Sequence, residues 1–262
     1  MVVYPADLAP PPTEWPGQQT VPAHRFTRQQ TGDDVSRLHK PKAGAWIRLA
    51  VLIVYPVVGL VYRVRWRSLD RIPATGGVII AVNHVSHMDT LVVARLVWQS
   101  GRIPRFLVKN TLFDKRILGP IMRGCKQIPV YRGTTDAARS LKDAVDALEN
   151  GEAVVIYPEG TITKDPEQWP MQAKTGVARL ALLAPDVPVV PIGQWGAQKV
   201  PKRRFHPQVE ANVGPPVDLT RYRGVEPTGD VLREITDVIM SAIRDEVAKL
   251  RDEAPPAEVY RA

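Results

Sequence analysis

A chain of 262 residues that is 44% hydrophobic and 24% charged is long and apolar enough for one sizeable packed domain with extensions. Its formal net charge of +8 favours an anionic partner, whether nucleic acid, an anionic bilayer or a phosphorylated substrate, and does not choose among them. The single cysteine, Cys125, excludes an intrachain disulfide and a cysteine-based zinc site, suits a reducing compartment, and reads as a small buried apolar residue.

The first residues, Met1-Val2-Val3-Tyr4-Pro5-Ala6-Asp7, lack the basic start and apolar stretch of a secretion signal. Residues 1–42 carry Pro5, Pro10, Pro11, Pro12, Pro16, Pro22 and Pro41 among polar residues without apolar periodicity, and read as a disordered arm. Residues 43–62 turn strongly apolar, yet Arg48 and Arg63 bracket only about fourteen residues, against the roughly 20 that a membrane crossing needs. Pro56 and Gly59 interrupt the run. The favoured reading is a short or broken helical segment that dips into one leaflet with its arginines reaching the headgroups; a buried core helix and a full span are the alternatives.

Next, Tyr62-Arg63-Val64-Arg65-Trp66-Arg67 alternates with the period of a strand, which puts three arginines on one face, either plainly solvated or against lipid headgroups. Strands are then expected at 77–82, 105–108, 127–131, 153–157, 187–192 and 209–213. Helices are expected at 90–99, 112–122 with a break at Gly119-Pro120, 136–150, 174–184 and 229–251. In the fourth of these strands' preceding helix, Ala138, Leu141, Val145 and Leu148 share a face and Gly151 supplies the stop. Strands separated by helices predict an α/β fold over residues 63–252, a largely parallel mixed sheet flanked by helices. Residues 253–262, with Pro255 and Pro256, read as a flexible tail.

In such sheets ligands meet the loops beyond the carboxyl ends of strands. Three clusters fall there: Asn83 to Asp89, Tyr131-Arg132, and Pro158-Glu159-Gly160-Thr161. His84 would sit in a loop and Asp89 in the first turn of the next helix, so the carboxylate can fold back onto the imidazole. A carboxylate on one ring nitrogen fixes the tautomer and leaves the other nitrogen to accept a proton near neutral pH. The alternative is an N-terminal helix charge beside an unrelated histidine. Ser86 lacks the Gly-x-Ser-x-Gly surroundings of a hydrolase nucleophile, and His84, His87 and Asp89 lack the further ligands of a metal site, so no metal is expected. A nucleic-acid partner is disfavoured, because no binding module or basic patch with interleaved aromatics stands out.

Together these clusters resemble the glycerolipid acyltransferase family, of the 1-acylglycerol-3-phosphate (lysophosphatidic acid) acyltransferase type. Asn83, His84 and Asp89 meet its Asn-His-x-x-x-x-Asp block, Gly124 to Arg132 approximate the second block, Tyr157-Pro158-Glu159-Gly160-Thr161 the third, and Val187-Pro188-Val189-Val190-Pro191 the fourth. All four stand in order over residues 66–195. Ile162 stands where an arginine often follows Glu-Gly-Thr, and Tyr131 where an acidic residue often precedes the arginine.

The resemblance implies direct acyl transfer without a cofactor. His84 would be the general base and Asp89 its partner, with an acyl-coenzyme A or acyl carrier protein donor and lysophosphatidic acid as acceptor, giving phosphatidic acid. By the same resemblance Lys109 and Arg132 would bind the acceptor phosphate, and Glu159, Gly160 and Thr161 would line the acceptor site. Glycerol 3-phosphate or another lysolipid is the alternative acceptor, and a nonenzymatic basic membrane-binding protein is the alternative of another class. The expected location is the cell membrane, peripheral or monotopic on an anionic surface, with the catalytic domain facing the cytoplasm.

Overall fold

The computed structural model describes residues 43–131, 137–199 and 206–261. The expected disordered arm and Arg132 therefore lie outside the described residues. Seven strands form one sheet: β1 (Arg63–Arg67), β2 (Val78–Val82), β3 (Pro104–Lys109), β4 (Ile128–Val130), β5 (Ala153–Ile156), β6 (Val189–Trp195) and β7 (Gln208–Val213). Their order is β1-β7-β6-β2-β5-β3-β4, and every neighbouring pair is parallel except β6 with β7. The fold is thus the largely parallel mixed α/β sheet that alternating elements predict.

Helices cover both faces. On one side lie α1 (Ala45–Val61) and α2 (Asp89–Gln99), with α3 (Leu118–Gly124) touching α1. On the other lie α4 (Ala137–Glu149), α5 (Gly176–Leu183) and α6 (Gly229–Arg251). Strand β2 runs through the middle and all five of its residues are buried. Val78, Ile80 and Val82 join Val58, Val92 and Leu96 in one core, while Ile79 and Ala81 join Leu180, Ile235 and Ile239 in the other. That division explains why β2 reads as an unbroken apolar run: side chains alternate, but both faces are dry.

Three local expectations are corrected. Gly119-Pro120 does not break a helix over 112–122; a 3-10 turn at Asn110–Leu112 comes first and α3 only begins at Leu118. Proline fits there because the first turn of a helix has no use for its missing N–H. The strand expected at 187–192 starts at Val189 and continues to Trp195, since β7 supplies an antiparallel partner as far as Trp195. Helix α1 runs unbroken through Pro56, whose ring faces outward.

At seventeen residues α1 is about 26 Å long at 1.5 Å per residue. Among the described residues no helix is long and apolar enough to cross a membrane. Its inner side, Val54, Val58 and Val61, packs on the core, with Val58 fully buried. Its outer side is apolar yet exposed: Leu49, Leu52, Ile53, Val57 and Leu60 lie at helical spacing, with Leu52 71% and Leu60 72% accessible. Ile117 and Leu118, at the start of the neighbouring α3, are also exposed.

The β1 arginines all face outward. Because β1 is an outer strand of the sheet, such charge also discourages edge-to-edge pairing. Arg67 is engaged with Glu210 at 2.6 Å. At the other terminus, the Gln172 N–H donates to the Tyr260 carbonyl at 2.9 Å, bringing the tail back against the loop after β5.

Candidate active site

The carboxyl end of β2 leads directly into Asn83 and His84. Asn83 is locked to β6: its side-chain amide donates to the Gln194 carbonyl at 3.0 Å, its Oδ1 accepts the Gln194 N–H at 2.8 Å, and its own carbonyl accepts from Gln194 Nε2 at 2.8 Å. Both residues are fully buried. Three reciprocal bonds across 111 residues of sequence fix the point from which His84 projects.

The backbone of His84 is held from the opposite side. Its N–H donates to Glu159 Oε1 at 2.8 Å, and its carbonyl accepts from the Thr163 N–H at 2.7 Å. The second oxygen of Glu159 accepts from the Met171 N–H at 3.0 Å. Glu159 is only 2% exposed, so its carboxylate braces two stretches of backbone. Burial pushes the Glu159 carboxyl up to about 7, with the nearby Asp89 charge adding to the rise and the two N–H donors opposing it.

Asp89 opens α2, where a carboxylate suits the helix dipole. Its Oδ2 accepts the Val85 N–H at 2.6 Å, the Ser86 N–H at 2.8 Å and the His84 Nδ1–H at 2.9 Å. Burial raises the Asp89 carboxyl above its usual range, and these three donors offset part of that rise. The Ser86 hydroxyl accepts from the Met88 N–H and shapes the intervening turn. With Nδ1 turned to Asp89, Nε2 is left as the proton-accepting atom of an imidazole that is 16% exposed. The arrangement can take a proton from a bound hydroxyl.

The remaining candidates sit around this pair. Gly160 ends a turn in which its N–H donates to the Tyr157 carbonyl at 2.9 Å, and its φ of +71° is where glycine is favoured. Thr161 is exposed. Lys109 closes β3 and is exposed, two strand spacings from β2 or roughly 10 Å. Among the described residues, no group of three or more His, Cys, Asp or Glu side chains could hold a metal ion. Cys125 is buried with its thiol raised by desolvation, and it lies against the Trp46 carbonyl.

Sequence reasoning missed several supporting side chains. Gln194 lies past 192, where the apolar run ends, on a stretch of β6 that only its pairing with β7 defines. Tyr157 counted only as the aromatic of a motif, but its ring stacks on His84 with centroids 4.4 Å apart and planes at 26°. Arg251, at the end of α6, lies between the rings of Trp169 and Trp195, 4.2 and 4.4 Å from their centroids, and donates to the Glu167 carbonyl. That contact pins the loop carrying Met171, and no local pattern announces it.

Residues 63–195 match the family model described as Acyltransferase. The chain belongs to the acyltransferase family. Within it, this acyltransferase is 26% identical over 183 residues to the 1-acyl-sn-glycerol-3-phosphate acyltransferase of Bacillus subtilis, covering 69% of this chain and 86% of that one. It is 28% identical to a chloroplastic 1-acyl-sn-glycerol-3-phosphate acyltransferase of Brassica napus, over 58% of this chain and 41% of that longer one. The fold is shared with the crystal structure of the 1-acyl-sn-glycerophosphate acyltransferase PlsC from Thermotoga maritima, at a TM-score of 0.59 and 21% identity, covering 80% and 81% of the two chains. The acyltransferase match spans β1 to the end of β6, which contains His84, Asp89, Tyr157, Glu159, Thr163 and Gln194.

Proposed function

We propose that this acyltransferase moves a fatty acyl group from a thioester, on coenzyme A or acyl carrier protein, to the free hydroxyl of 1-acylglycerol 3-phosphate, giving phosphatidic acid. The observation that carries the reading is the His84–Asp89 pair with its backbone held by Glu159 and Gln194. The names of the relatives supply the acceptor.

In this reading His84 Nε2 takes the proton of the acceptor hydroxyl as that oxygen attacks the thioester carbonyl carbon. The C–O bond forms, the tetrahedral intermediate collapses, the C–S bond breaks, and the imidazolium returns the proton to the departing thiolate. Asp89 stabilises the imidazolium between the two proton transfers. Lys109 and Arg132 bind the acceptor phosphate, a lysine as a point charge and an arginine with two donors at once. Gly160 and Thr161 line the acceptor side, and Glu159 contributes by holding the His84 backbone in place.

The outer side of α1 docks on an anionic bilayer from the cytoplasmic side, with Arg48, Arg63 and Arg65 at its flanks. The lysolipid then enters from the membrane and the thioester from solution. The test is turnover of lysophosphatidic acid with acyl-coenzyme A and acyl carrier protein donors, for wild type and His84→Ala. Phosphatidic acid formed by the wild type and reduced by about 10²–10⁴ in a folded variant is expected. Equal turnover by the two would remove His84 from the chemistry.

A further inference from the structure

Two buried polar atoms at the dyad have no hydrogen-bond partner. Asp89 Oδ2 accepts three donors while Oδ1 is buried with no hydrogen-bond partner. The Tyr157 hydroxyl is likewise buried and makes no hydrogen bond of good geometry. Both side chains meet the same imidazole, Asp89 through Nδ1 at 2.9 Å and Tyr157 through its ring at 4.4 Å, and the side chain of Thr90, the next residue of α2, lies beside the phenol; no hydrogen bond joins the phenol to Asp89. An orphaned acceptor and an orphaned donor at one helix start deserve a common explanation.

Tyr157 stacks on the His84 imidazole, and Phe106 is near-parallel to Tyr157, with centroids 6.4 Å apart and planes at 11°. Phe106, on β3, thus lines up with the ring that covers the imidazole. A π face at this separation also favours a cation, and the imidazole becomes one whenever it takes a proton.

We propose that Tyr157 is a positioning residue for the His84–Asp89 pair: its ring holds the imidazole and stabilises the imidazolium, and its hydroxyl moves to serve the open oxygen of Asp89. The two parts act in opposite directions on the proton affinity of the pair. A hydroxyl turned to Asp89 draws off carboxylate charge and weakens its hold on the imidazolium, whereas the ring face strengthens that state. The other ionisable groups bearing on the pair are Glu159, from the loop after β5, and Tyr62, at the end of α1, whose own hydroxyl donates to the Ala197 carbonyl. This role rests on the proposed acyl transfer through His84.

The experiment compares wild type with Tyr157→Phe and Tyr157→Leu, measuring kcat, KM for both substrates, the pH dependence of kcat/KM, and thermal unfolding. In Tyr157→Phe the acidic limb should move to higher pH at unchanged KM. In Tyr157→Leu the limb should fall below that of Tyr157→Phe, and kcat should drop about tenfold, a modest part of what a positioned base contributes. Wild-type kcat and pH profile in both variants, or a change confined to KM, would overturn the proposal. If Tyr157→Leu does not fold, the direction of the Tyr157→Phe limb decides alone. A wild type that fails to acylate lysophosphatidic acid sinks the acceptor assignment instead, and the Tyr157 comparison then runs on whichever hydroxyl acceptor it does use.

Discussion

Replacing Glu159 by glutamine tests the brace that holds His84, because it removes a titration while nearly preserving shape. Both carboxylate oxygens now accept backbone N–H groups, from His84 and from Met171. A glutamine has one oxygen, so its amide nitrogen must face one of those donors, leaving a buried N–H unanswered at a cost of about 1–3 kcal/mol. The pH dependence separates this from a generic loss. In the native protein the Glu159 carboxyl is raised from 4.5 to about 7. As pH rises past 4.5 the unfolded chain loses this proton while the folded chain keeps it, so stability falls. The fall ends above pH 7, when both states are ionised. At about 1.4 kcal/mol per pH unit, wild type loses about 3 kcal/mol across that window and the variant lacks this loss. Asp89 is present in both proteins and largely cancels in the comparison. Urea unfolding at intervals from pH 4.5 to 8 should therefore show the wild-type advantage shrinking as pH rises. Parallel but offset curves for the two proteins would refute the burial argument, and coincident curves would refute the brace as well.

Two further outcomes follow from the site and from α1. Lys109→Ala should raise KM for the phosphorylated acceptor about tenfold, the value of one charge-assisted contact, while KM for the thioester stays within about twofold in steady-state assays. Leu52→Asp together with Leu60→Asp places two charges on the exposed side of α1, so sedimentation with anionic vesicles should fall by at least about tenfold. Thermal unfolding should be unchanged, since both side chains are more than two-thirds exposed.

Much of this site was readable because its chemistry is local. His84 and Asp89 are five residues apart, and the strand-to-helix turn between them is enough to bring a carboxylate to an imidazole. The parallel core was readable for a related reason: β2 and β5 are short runs of aliphatic residues, as strands covered on both faces must be. The supporting shell was not. Asn83 meets Gln194 across 111 positions and His84 meets Glu159 across 75, contacts set by strand order rather than by spacing. Glu159 illustrates the gap. As a motif residue it suggested a contact with substrate, yet the turn at Gly160 directs its carboxylate inward to backbone donors. Misplacing the end of β6 at 192 had the same root, because only the antiparallel partner β7 carries that strand on to Trp195.

Helix α1 is at once part of the core and the most apolar exposed surface described here. Val58 and its neighbours close the space over α2, while the opposite side of the same two turns is bare. Cutting the helix away would therefore uncover the interior, and a truncated protein would aggregate for reasons unrelated to lipid. Handling this protein without detergent calls for another route: polar side chains at positions 49, 52, 53, 57 and 60, with every inward residue kept.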